Sequence, residues 1–385
     1  MAVMAARPRV LHILSDWKWT GPAEPIVNLC RQLRRQGHMV DLACSRAPRN
    51  QSQALVHRAR ERLVEPVLDF DLRKKPNLLP NLRDLQRITR FIDREEVQIV
   101  HVHSSHDHLI GSRAARRANN QPRVVRTNHH GTPLRPTFFS RLLINGYTDG
   151  WVALSEQCLN EDLRHFDIHP DHAAWVEGTV DLDRFDPSRD FADVRSDLGI
   201  APEEILIGIV ARVQKHRRFD VLLRAFAKAM AEEPKLKGMI IGRGTHFDNL
   251  VREPVTEMGL ADRILLPGYR NEDYPDYLAA FDVKVFLVPG SDGSCRAVRE
   301  AMALGKPILA ARRGILPQLV EDGRCGLVVE DTPEQLAAAM LRLARKKVLR
   351  ERLGRAGAEK AHSRFGLDQQ AEVIADLYQR LAEGL

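Results

Sequence analysis

Two acidic side chains eight positions apart, Asp292 and Glu300, carry the most chemical information in this chain of 385 residues. They lie in the stretch VPGSDGSCRAVREAMALGKPIL (288–309). A mostly apolar run over 283–288 ends at Pro289-Gly290, and a small-residue turn follows over 291–295. A helical run then extends through Leu304 to the stop signal Gly305-Lys306-Pro307. The pattern predicts a strand, a turn and a helix N-terminus, with Asp292 on the turn and Glu300 inside the helix. Unsatisfied backbone N–H groups and the helix dipole make such a terminus an anion site suited to phosphate. Glu300 falls about two helical turns beyond Asp292, where it can accept hydrogen bonds from ribose or sugar hydroxyls. Together these groups suit a nucleoside diphosphate that carries a sugar.

A departing diphosphate is stabilised by cations or helix termini, and neither requires a metal. Cations gather after the apolar run ILIGIVA (205–211), where Arg212, Lys215, Arg217 and Arg218 precede the helical VLLRAF (221–226). Gly242-Arg243-Gly244 and Gly268-Tyr269-Arg270 each follow an apolar run and are, by themselves, ordinary turn chemistry. In the first half, Gly21-Pro22-Ala23-Glu24 separates the run VLHIL (10–14) from a helical segment. Trp17 and Trp19 beside it read as packing residues rather than as a stacking surface for an acceptor. His101, His103, His106 and His108 form the densest histidine cluster, HVHSSHDH. The spacing approaches an H-x-H-x-D-H metal-ligand string, but Ser105 occupies the aspartate position, so no metal is predicted. The strings Asp69-Phe70-Asp71 and Asp181-Leu182-Asp183 occur at chance level.

The segment over 292–309 resembles the acid-x7-Glu segment of the retaining GT-B glycosyltransferases of family 4, whose usual form is E-G-F-G-x4-E-A-M-A-x-G-x-P-V. The part over 300–307 agrees closely, whereas Asp292 stands for Glu and Ser294-Cys295 for Phe-Gly. The family string G-R-x4-K-G-x-D-x-L-I-x-A-F is matched by Arg212 and Asp220, with Arg217 at the lysine position and Arg218 at the glycine position. Lys215 is an alternative to Arg217. Thr127-Asn128-His129-His130-Gly131 resembles T-x-H-G with one extra residue, so His129 is the matched histidine and His130 the alternative. Gly21 resembles the start of a G-G-x-E loop, in which Pro22 restricts φ and removes an N–H. VEGTVDLDRF (176–185) resembles the hinge string I-P-N-G-V-D-x-x-x-F.

The resemblance implies catalytic roles for Arg212, Arg217, Asp292 and His129. It implies donor contacts for Gly21, Gly242, Arg270, Gly293, Ser294, Cys295 and Glu300. It also implies neither a metal nor a cofactor. Transfer with retention is expected by front-face chemistry, in which the departing diphosphate assists deprotonation of the acceptor. The expected partners are a nucleotide sugar and a glycan or lipid-linked acceptor, as in bacterial-type cell-surface polysaccharide or lipopolysaccharide synthesis. Two other readings stand beside this one. Departures at 217, 218, 292, 294 and 295 suit a degenerate, non-catalytic nucleotide-sugar-binding partner. A sugar-nucleotide 2-epimerase shares the two-domain fold, though the strings around Arg212 and Glu300 disfavour it.

The elements that must position these residues alternate between β-like and helical runs. VLHIL (10–14), HMVDLAC (38–44), QIVHVH (98–103), RVVRT (123–127) and GWVAL (150–154) form one series. ILIGIVA (205–211), GMIIG (238–242), RILLPG (263–268), DVKVFLV (282–288) and KPILAA (306–311) form a second. Such alternation predicts an α/β fold with two Rossmann-like domains built on parallel sheets, broken at the Pro-containing DLDRFDPSRDF (181–191). The expected boundaries are 1–180 for an acceptor-binding domain and 181–366 for a nucleotide-sugar-binding domain. The resemblance implies that the amphipathic segment 367–385 returns to the first of these.

Composition agrees with two globular domains: 44% hydrophobic and 28% charged residues. No apolar run approaches the length of a membrane span, and the N-terminus lacks signal-peptide character. Five scattered cysteines, with no CxxC pair, point to a reducing cytoplasm. Residues 1–150 hold 25 Lys and Arg against 13 Asp and Glu, a local +12 within a chain of net +7. This basic half suits an anionic membrane face, an acidic acceptor or simply a solvated surface; no nucleic-acid-binding module accompanies it. The stretch 135–144 mixes Arg with adjacent aromatics and reads either as a membrane-dipping amphipathic helix or as a buried one.

Overall fold

The computed structural model describes residues 7–19, 22–73, 78–130, 132–289 and 295–383. They form two compact units, one running to Gly178 and resumed at Leu367, the other made of Thr179–Gly290 and Cys295–Gly366. The first contains β1 (Val10–Leu14), β2 (Val40–Cys44), β3 (Pro66–Val67), β4 (Ile99–Val102), β5 (Arg123–Asn128), β6 (Gly150–Ala153) and β7 (Ala173–Trp175). They pair in the order β3-β2-β1-β4-β5-β6-β7, every pair parallel. The second contains β8 (Ile205–Val210), β9 (Leu236–Ile241), β10 (Ile264–Gly268), β11 (Val283–Phe286), β12 (Ile308–Ala311) and β13 (Gly326–Val329). Their order is β10-β9-β8-β11-β12-β13, again all parallel.

Both sheets are covered by helices on both faces, which is why most of their strands are continuous apolar runs. On β1, Val10 and Leu14 enter one cluster while Leu11 and Ile13 enter the cluster on the opposite face. The period of two therefore places His12 on the face of Val10, and on β4 it places His101 on the face of Ile99. The final helix, Leu367–Ala382, lies on that same face through Ile374, Leu377, Tyr378 and Leu381. In the second sheet the same alternation turns Lys284 toward the face of Phe286, which is covered by the helix Arg296–Ala303.

Strand order reverses between β1 and β4 in one sheet and between β8 and β11 in the other. In open parallel sheets, ligands bind outside the carboxyl ends of the strands at such a switch point. The ten strands expected from sequence are present. β3, β7 and β13 were not anticipated; β3 and β7 span only two and three residues, too few for a periodicity to register.

Candidate active site

In the second unit, the chain leaving β8 carries the cations. Arg212 is exposed and makes no hydrogen bond or ion pair among the described residues. Arg217 is half-buried, and its Nη1 donates to the Val288 carbonyl at 2.6 Å, just beyond β11. The switch point thus brings a guanidinium to the loop that leads to Asp292. Asp292, Gly293 and Ser294 themselves lie outside the described residues, as does Gly21. Lys215 is exposed, and Asp220 pairs within its own helix with Arg224 at 2.7 Å.

Two departures from the family string share a backbone feature. Arg218, at the glycine position, has φ +60°, and Cys295, also at a glycine position, has φ +48°. Both adopt the left-handed conformation that glycine reaches without steric cost. Non-glycine side chains here therefore stand on a backbone path that would suit the glycines of the family string. Arg218 ion-pairs with Asp331 at 3.5 Å, and the Cys295 side chain is buried at the start of the helix Arg296–Ala303.

Glu300 is 8% exposed, and its Oε2 accepts a hydrogen bond from the Tyr274 hydroxyl at 2.7 Å. Arg296 Nε lies 3.6 Å from Oε1. From β11, the fully buried Lys284 points at the same helix, with Nζ 5.6 Å from the Phe286 ring centroid and 5.9 Å from that of Phe281. Burial pushes its pKa well below the ordinary lysine value, and the nearby Glu300 carboxylate partly opposes that. Tyr274 and Lys284 escaped the sequence reading. Tyr274 belongs to no motif; Lys284 left one signal, a charge interrupting an apolar strand run.

Gly242 and Gly244 have a packing reason. A Cβ at either would lie 2.0 Å from the Ala211 carbonyl oxygen or 2.1 Å from that of Val213, so only glycine lets the two strand exits approach. The Gly242 N–H already donates to Gly268 O at 3.0 Å. Arg270 is held within its own loop, donating to Asp273 at 3.1 Å and to Pro267 O at 2.7 Å, and stacking over Tyr277.

In the first unit, histidines from three neighbouring strands meet. His12 on β1 is in register with His101 on β4; His103 follows β4 and His129 follows β5. His101 Nε2 lies 2.7 Å from Thr127 Oγ1, and its Nδ1 lies 2.5 Å from the Tyr378 hydroxyl. That hydroxyl lies 3.2 Å from His12 Nε2; His12 Nδ1 is 3.0 Å from His103 Nε2. His103 Nδ1 is 2.9 Å from His129 Nε2. Burial holds all four imidazoles neutral, lowering His12 and His129 to about 3 and His101 and His103 well below their ordinary value.

The metal-like spacing of His101, His103 and His106 does not become a cluster. His106 bonds Ser15 Oγ at 3.1 Å instead, while His108 bonds Arg126 and Thr148, each at 2.8 Å. His12 takes the third place, with ligand atoms of His12, His101 and His103 within 4.8 Å of one another. Yet His103 stacks on His101 at 4.4 Å and on His12 at 5.2 Å. Stacked rings do not aim their lone pairs at one point, and each ring nitrogen of the three already has a hydrogen-bonding partner.

The helix Phe138–Tyr147 is not the buried helix that one sequence reading allowed: Phe138, Phe139 and Leu142 are 76%, 79% and 60% exposed, and only Ile144 is buried. Among the described residues, no helix is long and apolar enough to cross a membrane.

The profile of Glycosyltransferase Family 4 matches residues 20–184, and that of Glycosyl transferases group 1 matches residues 190–360. The chain belongs to the group 1 glycosyltransferases. The GT-B architecture agrees with this membership. A D-inositol 3-phosphate glycosyltransferase of Streptomyces bingchenggensis is 31% identical over 252 residues, 63% of this chain and 55% of that protein. The chain spans about half the length of the curated relatives it matches. A glycosyltransferase from Rickettsia africae superposes with a TM-score of 0.82 at 16% identity, covering 98% of this chain and 100% of its own. Anabaena Alr3699/HepE, in complex with UDP and glucose, does so with 0.75 at 18% identity over 98% and 99%.

Proposed function

We propose that the protein transfers a sugar with retention from a nucleoside diphosphate to a glycan or lipid-linked acceptor, without a metal, in bacterial-type cell-surface polysaccharide or lipopolysaccharide synthesis. The second unit binds the donor and the first binds the acceptor. The observation that carries this reading is the second switch point, where the Arg217 guanidinium reaches the carboxyl end of β11 and Glu300 sits on the helix that follows. A cation there stabilises the departing diphosphate, and Glu300 accepts from ribose hydroxyls. Asp292 is assigned to the donor sugar, and the backbone of 293–295 to sugar and diphosphate. His129 completes the assignment as a hydrogen-bonding partner of the sugar.

The left-handed backbone at Arg218 and Cys295, the path that glycines in the family string would take without steric cost, favours a working site over a degenerate partner subunit. The exposed Phe138, Phe139 and Leu142, within the basic half of the chain, favour peripheral attachment to the cytoplasmic, anionic face of a membrane. A panel of nucleotide sugars, assayed with acceptor and excess EDTA, tests the proposal. Transfer that survives chelation and keeps the anomeric configuration supports it. Full loss restored by one divalent ion removes metal independence, and release of a free 2-epimer replaces transferase with epimerase.

A further inference from the structure

Thr127, His101, Tyr378, His12, His103 and His129 form one unbranched hydrogen-bonded chain, from a buried hydroxyl to a half-buried histidine. A neutral imidazole has one N–H and one lone pair, so each ring in the chain accepts on one nitrogen and donates on the other. All links must therefore run in one direction. The inner end selects which. Thr127 Oγ1 is buried and has His101 Nε2 as its partner among the described residues. Were His101 the donor there, the threonine proton would be buried without an acceptor, which costs more than an unused oxygen lone pair. Thr127 therefore donates to His101 Nε2, and His101 Nδ1–H donates to the Tyr378 oxygen. Tyr378 donates to His12 Nε2, His12 Nδ1–H to His103 Nε2, and His103 Nδ1–H to His129 Nε2. The remaining proton lies on His129 Nδ1, which makes no hydrogen bond among the described residues.

We propose that Tyr378 is a positioning residue that sets the tautomer of His129 through this chain, presenting His129 Nδ1 as an uncharged donor to an oxygen of the ligand. The final helix thereby does more than complete the first unit's core: its one tyrosine is the link between the inner and outer histidines. That the oxygen belongs to a nucleotide sugar rests on the function proposed above; the direction of the chain does not.

The test is long-range ¹H–¹⁵N correlation on the full chain labelled with ¹⁵N-histidine, at neutral pH and without ligand. His12, His101, His103 and His129 are expected in the Nδ1–H form. In Tyr378→Phe, His103 and His129 are expected to shift to a mixture of tautomers while the protein stays folded. Thr127→Val, which removes the donor at the inner end, is expected to loosen the same rings and decides the matter if Tyr378→Phe does not fold. Nε2–H forms in the unaltered protein, or an unchanged His129 in a folded variant, would overturn the proposal. So would stoichiometric Zn²⁺ shifting His12, His101 and His103 together, which would make the cluster a metal site. Kinetically, Tyr378→Phe is expected to raise the KM for the sugar donor about tenfold with a smaller change in kcat, the size of one hydrogen bond. Predicted tautomers with no transfer from any nucleotide sugar would uphold the chain and refute the assigned function.

Discussion

At the switch point of the first sheet, His12 and His101 face each other from β1 and β4, buried, neutral and hydrogen-bonded. At the second, the Arg217 guanidinium reaches the loop after β11, and Lys284, its charged form disfavoured by burial, lies near the Glu300 carboxylate. The same topology thus carries opposite electrostatics. Neutral rings with fixed donor directions discriminate by geometry and are indifferent to salt, whereas charged groups in a partly dry site bind anions strongly and pay for their own desolvation. Under the proposed function, the protein would divide its chemistry between orientation at one switch point and charge at the other.

Acid should break this comparison most visibly. A histidine whose folded pKa lies below its unfolded value leaves the unfolded chain binding more protons between the two, so stability falls as pH drops from about 6.5 toward 3. For His12 alone the loss reaches about 2 kcal/mol at pH 5, and the buried His101, His103 and His108 act in the same direction. In the second unit His216, His246 and His362 are exposed. Hydrogen exchange between pH 7 and 4.5 should show the first unit opening before the second. Simultaneous opening would mean that the histidines do not govern its acid stability.

Glu300→Gln should weaken donor binding by about 1.5–3 kcal/mol, because a charged acceptor is lost while the Tyr274 hydroxyl keeps an oxygen to bond. Calorimetric titration with the best nucleotide sugar checks this. Unchanged affinity in a folded variant removes Glu300 from the donor site and the charge from one side of the comparison.

Replacing Phe138 and Phe139 with serine should weaken attachment to anionic vesicles by roughly 1–2 kcal/mol without altering fold, since both rings are exposed. Co-sedimentation at low and high salt separates this apolar contribution from the charge of the basic half. Equal binding by both proteins would leave only charge, or no membrane role at all.

The smallest effect is expected at Arg218→Gly, which should stabilise the second unit by about 0.5–1 kcal/mol by relieving a left-handed backbone, less the modest ion pair with Asp331. Thermal unfolding beside Arg218→Ala, which keeps the strain, makes the comparison. A glycine variant no more stable than the alanine variant would show that the backbone at 218 carries no strain.

Much of the second switch point was legible in sequence because its residues are close in the chain. Arg212, Arg217 and Glu300 each follow a strand run within one strand–turn–helix unit, and local patterning is enough to place them. Lys284 was visible only as an anomaly, since a charge in an apolar run does not say what it faces. The glycine positions illustrate a different limit. At Gly242 the sequence offered ordinary turn chemistry and a resemblance, and it could not show that the carbonyl of Ala211, from the neighbouring strand exit, excludes a side chain there.

The order of strands and helices, the break near residue 180, the basic first half and the spacing of the acidic and cationic side chains are properties of the sequence, because hydrophobic period and local turn chemistry encode them. The histidine chain is not. His12, His101, Thr127 and Tyr378 are separated by up to 366 residues, and only parallel register between β1, β4 and β5, together with the return of the last helix, brings them within hydrogen-bonding distance. Sequence spacing suggested His106 as the third member of the cluster. The alternation of faces along β1 and β4 chose His12 instead, because side chains two apart on a strand share a face, and neighbouring strands in register set those faces side by side.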